Sequence, residues 1–151
     1  MKQDYISLIL SIERLHRRFL DVIKSELDRL GVEDINNVQT MILYNIGDGV
    51  VTVGELTNKG YYLGSNVSYN VKKLVETGFI LQERSPHDKR SVKVKLSEKG
   101  LSLCEKIDNL YQRNVEDLES IGLSSDVLKE TLGNMEKLEK YWAKLVNLSA
   151  F

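Results

Sequence analysis

The sequence predicts a mainly α chain that carries one small β-hairpin. Three observations within residues 52–100 lead to this. Val67, Val71, Leu74 and Val75 recur at helical spacing, which marks one apolar face of a helix. Val92, Val94 and Leu96 alternate with Lys93 and Lys95, the period of a half-buried strand. Between Phe79-Ile80-Leu81 and that strand lies Ser85-Pro86-His87-Asp88-Lys89-Arg90, a loop too rich in charge to bury. Helix, turn, helix, strand, loop, strand is the layout of a winged helix-turn-helix, with the loop as its wing.

Each element has its own signal. Tyr5, Leu8, Ile9, Ile12, Leu15, Phe19, Val22, Ile23, Leu27 and Leu30 form a stripe that predicts one helix over residues 3–30, stopped by Gly31. Asn36 or Asn37 caps a second helix carrying Val38, Met41, Ile42, Tyr44 and Ile46, which ends near Gly47-Asp48-Gly49. Val50-Val51 then adds a short edge strand to the hairpin. Thr52 and Glu55 have capping-box spacing, so a helix begins there with its first amides satisfied, and Leu56 anchors it. Gly60-Tyr61-Tyr62-Leu63-Gly64 turns the chain. The next helix exposes Ser65, Asn66, Ser68, Tyr69, Lys72 and Lys73 opposite its apolar side and stops at Gly78. After the hairpin, Ser97 caps a helix to about residue 120, with Leu101, Cys104, Ile107, Leu110, Tyr111 and Leu118 on its buried side. Gly122 interrupts. Ser124 or Ser125 starts the last helix, with Leu128, Leu132, Met135, Leu138, Trp142, Leu145 and Val146 in register. The first helix and the last two are more apolar than a lobe of some fifty residues can cover, so they are expected to pack together and against a second copy.

Composition narrows the function classes. The 151 residues are 42% hydrophobic and 28% charged, which suits one folded domain. No apolar run reaches membrane-spanning length, and Met-Lys-Gln-Asp-Tyr lacks the layout of a signal peptide. The single Cys104 excludes an internal disulfide and a multi-Cys zinc site. These features suit the cytoplasm. Net charge is −1, but its distribution is uneven. Residues 51–100 hold nine Lys/Arg against five Asp/Glu, or +4, residues 1–50 have −2 and residues 101–151 have −3. The basic excess sits only on the winged lobe, where the local field steers toward phosphate. The second helix of the lobe is narrow enough for a major groove, and the basic loop reaches phosphates and the minor groove beside it.

Three motifs follow one another here: Gly78-Phe79-Ile80, Asp88-Lys89-Arg90-Ser91 and Leu96-Ser97-Glu98-Lys99-Gly100. In this order and spacing the segment resembles the MarR family of bacterial transcription regulators. The resemblance implies N- and C-terminal helices (1–31 and 101–151) that form a two-fold dimer, and a DNA-binding lobe over residues 35–100. The whole makes a single 151-residue domain. It also implies an Asp-x-Arg wing, matched by Asp88 and Arg90, in which the Arg enters the minor groove and the Asp orients it. In the turn the chain departs from the family: Tyr61 and Tyr62 replace a small and an aliphatic residue, Leu63 a capping Ser. Tyr69 stands where Arg is common.

The expected partners are therefore double-stranded DNA, a second copy, and a small aromatic effector of the kind the resemblance suggests. Asn66, Tyr69 and Lys73 are candidate base readers; Ser65, Ser68 and Lys72 are candidates for phosphates or neighbouring bases; His87, Asp88, Lys89 and Arg90 belong to the wing. His16, Phe19, Met41, Tyr44, Tyr61 and Tyr111 are candidate effector contacts, set against the commoner role of such residues as core packing. Cys104, on an apolar helix side and away from the helix start, reads as a small core thiol rather than a redox sensor. His16 and His87 are too few and too distant for a metal site. No nucleophile–base arrangement or phosphate loop appears, so no cofactor and no catalytic function are expected. The expected role is a dimeric DNA-binding regulator, in the first place a repressor. The alternative is a winged-helix protein-interaction module that does not read DNA.

Overall fold

A computed structural model of the chain describes residues 1–60, 64–84 and 92–149. Two compact units result, residues 1–109 and 110–151.

The first unit opens with α1 (Lys2–Leu30), which Gly31 ends in the left-handed conformation at φ 69°. The Gly31 amide bonds the Asp28 carbonyl, and the Val32 amide reaches back to Leu27, the paired closure a glycine C-cap allows. The predicted stripe is present, but only Ile23 and Leu27 of it are buried; Tyr5, Leu8, Leu15, Phe19 and Val22 are exposed. Glu26, which the pattern left out, is buried and salt-bridged to Arg29.

Asn36 caps α2 (Asn37–Ile46) with a complete capping box. Its side chain accepts from the Gln39 amide at 2.8 Å, and the Gln39 side chain accepts from the Asn36 amide at 3.1 Å. Asn37 instead donates to the Leu20 carbonyl at 3.1 Å, tying α2 to α1. The core face of α2 is Thr40, Ile42, Leu43 and Ile46. Thr40 is accommodated there because its hydroxyl donates to the Asn36 carbonyl at 2.8 Å.

β1 (Val51–Thr52) leads into α3 (Val53–Gly60). The Thr52–Glu55 capping box forms as its spacing predicts, with both reciprocal bonds made at 3.1 and 3.2 Å. α4 (Gly64–Glu76) follows, burying Val67, Val71 and Leu74 beside Leu56 of α3. β2 (Ile80–Arg84) and β3 (Val92–Leu96) pair antiparallel, and β1 adds on the other side of β3, giving the order β1-β3-β2. Ile80, Val94 and Leu96 face the core, while Lys93 and Lys95 face outward as the alternation predicts.

The junction after the hairpin explains the Leu-Ser-x-x-Gly motif. Gly78 takes φ 83° at the end of α4. The Ser97 hydroxyl donates to its carbonyl and accepts from the Gly100 amide at 3.2 Å. The Ser97 amide bonds the Phe79 carbonyl at 3.0 Å. A Cβ on Gly100 would lie 2.3 Å from that same carbonyl oxygen. Ser97 thus caps α5 (Glu98–Leu118) and clamps it to the root of the hairpin.

Leu103, Ile107 and Leu110 are the buried residues of α5, and Leu101 is exposed. The expected side is therefore shifted. Gly100 sets the rotation of the helix by pressing its own face to Phe79, which turns Leu103 inward and its neighbour two positions earlier outward.

The second unit holds the end of α5, a 3₁₀ turn (Glu119–Ile121) closed by Gly122 at φ 85°, and α6 (Ser125–Ser149). The Ser124 side chain accepts from the Val127 amide at 3.3 Å and caps α6. Leu128, Leu132, Leu145 and Val146 of its stripe are exposed. Among the described residues no helix is long and apolar enough to cross a membrane.

Candidate nucleic-acid interface

The site is built on α4. Three buried residues at i, i+4 and i+7 (Val67, Val71 and Leu74) lock one face of this helix into the lobe, which fixes what the opposite face presents. That face carries Asn66, Ser68, Tyr69, Lys72 and Lys73, all exposed. They form two ridges. Asn66, Tyr69 and Lys73 lie at i, i+3 and i+7 on one. Ser68 and Lys72 lie on the other and, with Val53, Val71, Gln82 and Val92, line a hollow between α4 and the strands.

Tyr69 has 61% of its surface exposed, an arrangement that burial alone does not favour for a residue of its size. Lys73 sits 5.9 Å from the centre of its ring and 3.6 Å from Glu76. Aromatic and cation thus form one exposed group. Asn70, by contrast, turns off this face. Its Oδ1 accepts from Gln39 of α2 at 3.2 Å, and its Nδ2 donates to the Asn66 carbonyl at 2.9 Å.

The strands at the root of the hairpin place Glu83 opposite Lys93 and Leu81 opposite Lys95. The wing residues His87, Asp88, Lys89 and Arg90 lie outside the described residues, as do Tyr61 and the side chain of Ser65.

The effector candidates separate. His16, Phe19 and Leu20 of α1 and Val38, Met41 and Asn45 of α2 line one pocket of about 290 Å³. Tyr44 does other work: its hydroxyl donates to Asp108 of α5 at 2.5 Å. Tyr111 belongs to the second unit and is half-buried there. Sequence reasoning did not name Leu20, Val38 or Asn45 as pocket residues, since neither small-ligand chemistry nor spacing singles them out.

Burial pushes the Cys104 thiol up to about 11, with Asp108 and Asp48 adding to the effect. No group of three or more His, Cys, Asp or Glu that could hold a metal ion occurs among the described residues.

Residues 33–91, which hold α2, β1, α3, α4 and β2, match the sequence model of the MarR family. Residues 33–91 are thus a MarR-family segment. The members of this family are transcription regulators rather than enzymes.

The chain is 46% identical over 100 residues to the exopolysaccharide II synthesis transcriptional activator ExpG of Rhizobium meliloti. That stretch is 66% of this chain and 52% of ExpG, so the chain spans about half the length of this relative. Among solved structures, Staphylococcus aureus MarR in complex with salicylate and kanamycin superposes with a TM-score of 0.75 at 23% identity, covering 95% of this chain and 93% of that one. A mutant E. coli MarR complexed with operator DNA gives 0.73 at 23%, covering 89% and 95%. At these identities the likeness is one of fold: mainly helical, with a three-stranded antiparallel sheet.

Proposed function

We propose that this chain is a sequence-specific DNA-binding transcription regulator of the MarR family that acts as a homodimer in the cytoplasm. One observation carries the reading. α4 is held by a fully buried apolar face, and its opposite face is an exposed array of Asn66, Ser68, Tyr69, Lys72 and Lys73 in the one segment with a charge balance of +4. Amide, hydroxyl and ammonium groups on a rigid helix match the donors and acceptors of the major groove. Asn66, Tyr69 and Lys73 read bases. Ser68 and Lys72, on the ridge nearer the strands, engage phosphate together with Ser65. Arg90, oriented by Asp88, takes the minor groove, with His87 and Lys89 beside it.

The dimer reading is supported by exposed apolar residues on α1 and α6, among them Leu8, Leu15, Leu128 and Leu132, which a second copy covers. This assigns residues 1–31 and 101–151 to dimerisation and 35–100 to DNA. A two-fold dimer presents its recognition helices to half-sites about one DNA turn apart. We further propose that the regulator responds to a small aromatic compound in the pocket lined by His16, Phe19 and Met41, at the lower end of the usual size range for such sites. That the S. aureus neighbour was solved with salicylate supports this class. In the repressor reading the ligand releases the protein from DNA. ExpG is named an activator, and the same DNA-binding fold serves either sign according to where its site lies relative to the promoter.

Selection of sites from random duplex DNA tests the proposal. The expected product is a pseudo-palindrome bound at least ~10³-fold more tightly than a scrambled duplex. If nothing is enriched, and the residual binding vanishes with salt, the chain does not read sequence.

A further inference from the structure

Gln39 does two things with one side chain. Its Oε1 completes the α2 capping box by accepting from the Asn36 amide at 3.1 Å. Its Nε2 donates across 31 residues of sequence to Asn70 Oδ1 at 3.2 Å. Asn70 passes the connection on, its Nδ2 donating to the Asn66 carbonyl at 2.9 Å. The result is an unbroken chain of hydrogen bonds from the start of α2 to the first turn of α4. Asn66, where it ends, is a proposed base reader, and Tyr69 is the neighbour of Asn70 in sequence.

From this we infer that Gln39 is a positioning residue for DNA recognition: it sets the rotation of α4 about its own axis, and with it the bases that Asn66 and Tyr69 meet. The inference rests on the reading of α4 as the recognition helix.

The physical case is one of geometry. The apolar contacts of Val67, Val71 and Leu74 decide which face of α4 is outward, but the hydrophobic effect is non-directional and sets the last few degrees of rotation less closely than a directed bond does. A hydrogen bond weakens steeply as its angle closes. Both Gln39 and Asn70 are half-buried, so their bond competes with less water than an exposed one. Each amide in the chain is also committed at both ends. If α4 rotates, the Gln39–Asn70 bond is lost, and the capping box limits how far Gln39 can follow, because its oxygen is held at Asn36. A rotation of α4 moves the outer tips of Asn66 and Tyr69 furthest, since they stand at the largest radius from the axis. Base readout is sensitive to such shifts because bidentate contacts require fixed directions.

The test uses two variants of the full chain. Gln39→Glu keeps an acceptor for the Asn36 amide, as Glu serves at this position of a capping box, but it cannot donate to Asn70 Oδ1. Asn70→Ala removes the other partner and adds no charge. For each variant the affinities for the wild-type selected site and for a scrambled duplex are measured, with the melting temperature. The ratio of the two affinities cancels the uniform effect of the carboxylate that Gln39→Glu introduces. We expect this ratio to fall roughly tenfold in both variants, about the loss from one misread base pair. Scrambled-DNA binding by Asn70→Ala should be unchanged. The double variant should lose no more than the singles, since both break the same bond. A ratio unchanged in either single variant, with or without a lower melting temperature, overturns the inference and leaves the bridge a structural bond only.

Hydrogen exchange on the same proteins without DNA separates this failure from that of the DNA reading. Faster exchange in the first turns of α4 in Gln39→Glu, with the α2 amides protected as in the wild type, supports the hold of Gln39 on α4; if the wild type then selects no site, it is the DNA reading that has failed and not the bridge. Unchanged exchange in α4 counts against it whatever the DNA result.

Discussion

A methyl group on Gly100 would sit 2.3 Å from the Phe79 carbonyl oxygen, a main-chain atom that cannot swing aside. Gly100→Ala must therefore move α5 away from the hairpin root, breaking the joint that Ser97 makes with Gly78. The expected cost is about 1–3 kcal/mol, read as a fall of roughly 2–4 °C in melting temperature per kcal/mol for a chain of this size. An unchanged melting temperature would remove Gly100 from the account of this motif. Cys104 gives a second prediction at this scale. Its thiol is raised to about 11, so at neutral pH it stays protonated and should react with a thiol reagent far more slowly in the folded chain than in the denatured one. The sign for stability follows. Between its unfolded value near 9 and the folded value near 11, the unfolded chain releases the proton first, so stability falls as pH rises through that window. Cys104→Ala should lessen the fall; equal slopes for both proteins would show that the thiol contributes nothing. Local signals at this scale were legible in the sequence. The Thr52–Glu55 box, the left-handed Gly31 and the Ser97 cap each depend on residues three or four apart. The Gln39–Asn70 bridge was not legible, because α2 and α4 assemble it across 31 residues of sequence; the Glu26–Arg29 pair has ordinary i,i+3 spacing, which does not reveal that Glu26 is buried.

At the level of elements, α4 was readable because its two faces differ in chemistry at a single period. α5 misled on one residue for a related reason. Leu101 and Leu103 are both apolar, and periodicity cannot decide between them until the contact of Gly100 with Phe79 sets the rotation of the helix. α1 was readable as a helix, but its stripe concealed a division: the C-terminal part, with Ile23 and Leu27, packs inside the lobe, while Tyr5, Leu8 and Leu15 remain exposed. The exposed face of α4 carries the proposed base contacts. Replacing Asn66 or Tyr69 with Ala should relax specificity by roughly 1–3 kcal/mol for each lost base contact. Because both side chains are exposed, the fold should be unaffected. Arg90→Ala should act differently. It should weaken binding to the selected site while leaving the dimer intact, because the contact it removes is the proposed one in the minor groove. If Arg90→Ala binds the selected site with wild-type affinity, the wing assignment fails; if both α4 variants keep the wild-type preference, the reading face is another one.

For the whole molecule, the apolar surface left on α1 and α6 is the feature a single copy does not explain. Leu132 is 59% exposed and Leu8 is 41% exposed. A charge at either position meets no core of its own chain, so it should cost the single copy little. In a dimer the same charge is buried against a second apolar surface without a partner, which is costly. Leu132→Glu is therefore expected to give a folded monomer at micromolar concentration, with wild-type helix content. Its effect on DNA then measures what the dimer contributes. In the proposed dimer, binding of one α4 helix makes binding of the second intramolecular, an advantage of roughly 10²–10⁴ that depends on both half-sites being reachable together. The monomeric variant should lose that factor on a pseudo-palindrome and lose nothing on a duplex carrying one half-site, although its α4 and wing are untouched. A monomer that keeps full affinity for the palindrome would show that the two recognition helices never act together. A variant that stays dimeric would place the subunit contact elsewhere than on α6, and Leu8→Glu would then ask the same of α1.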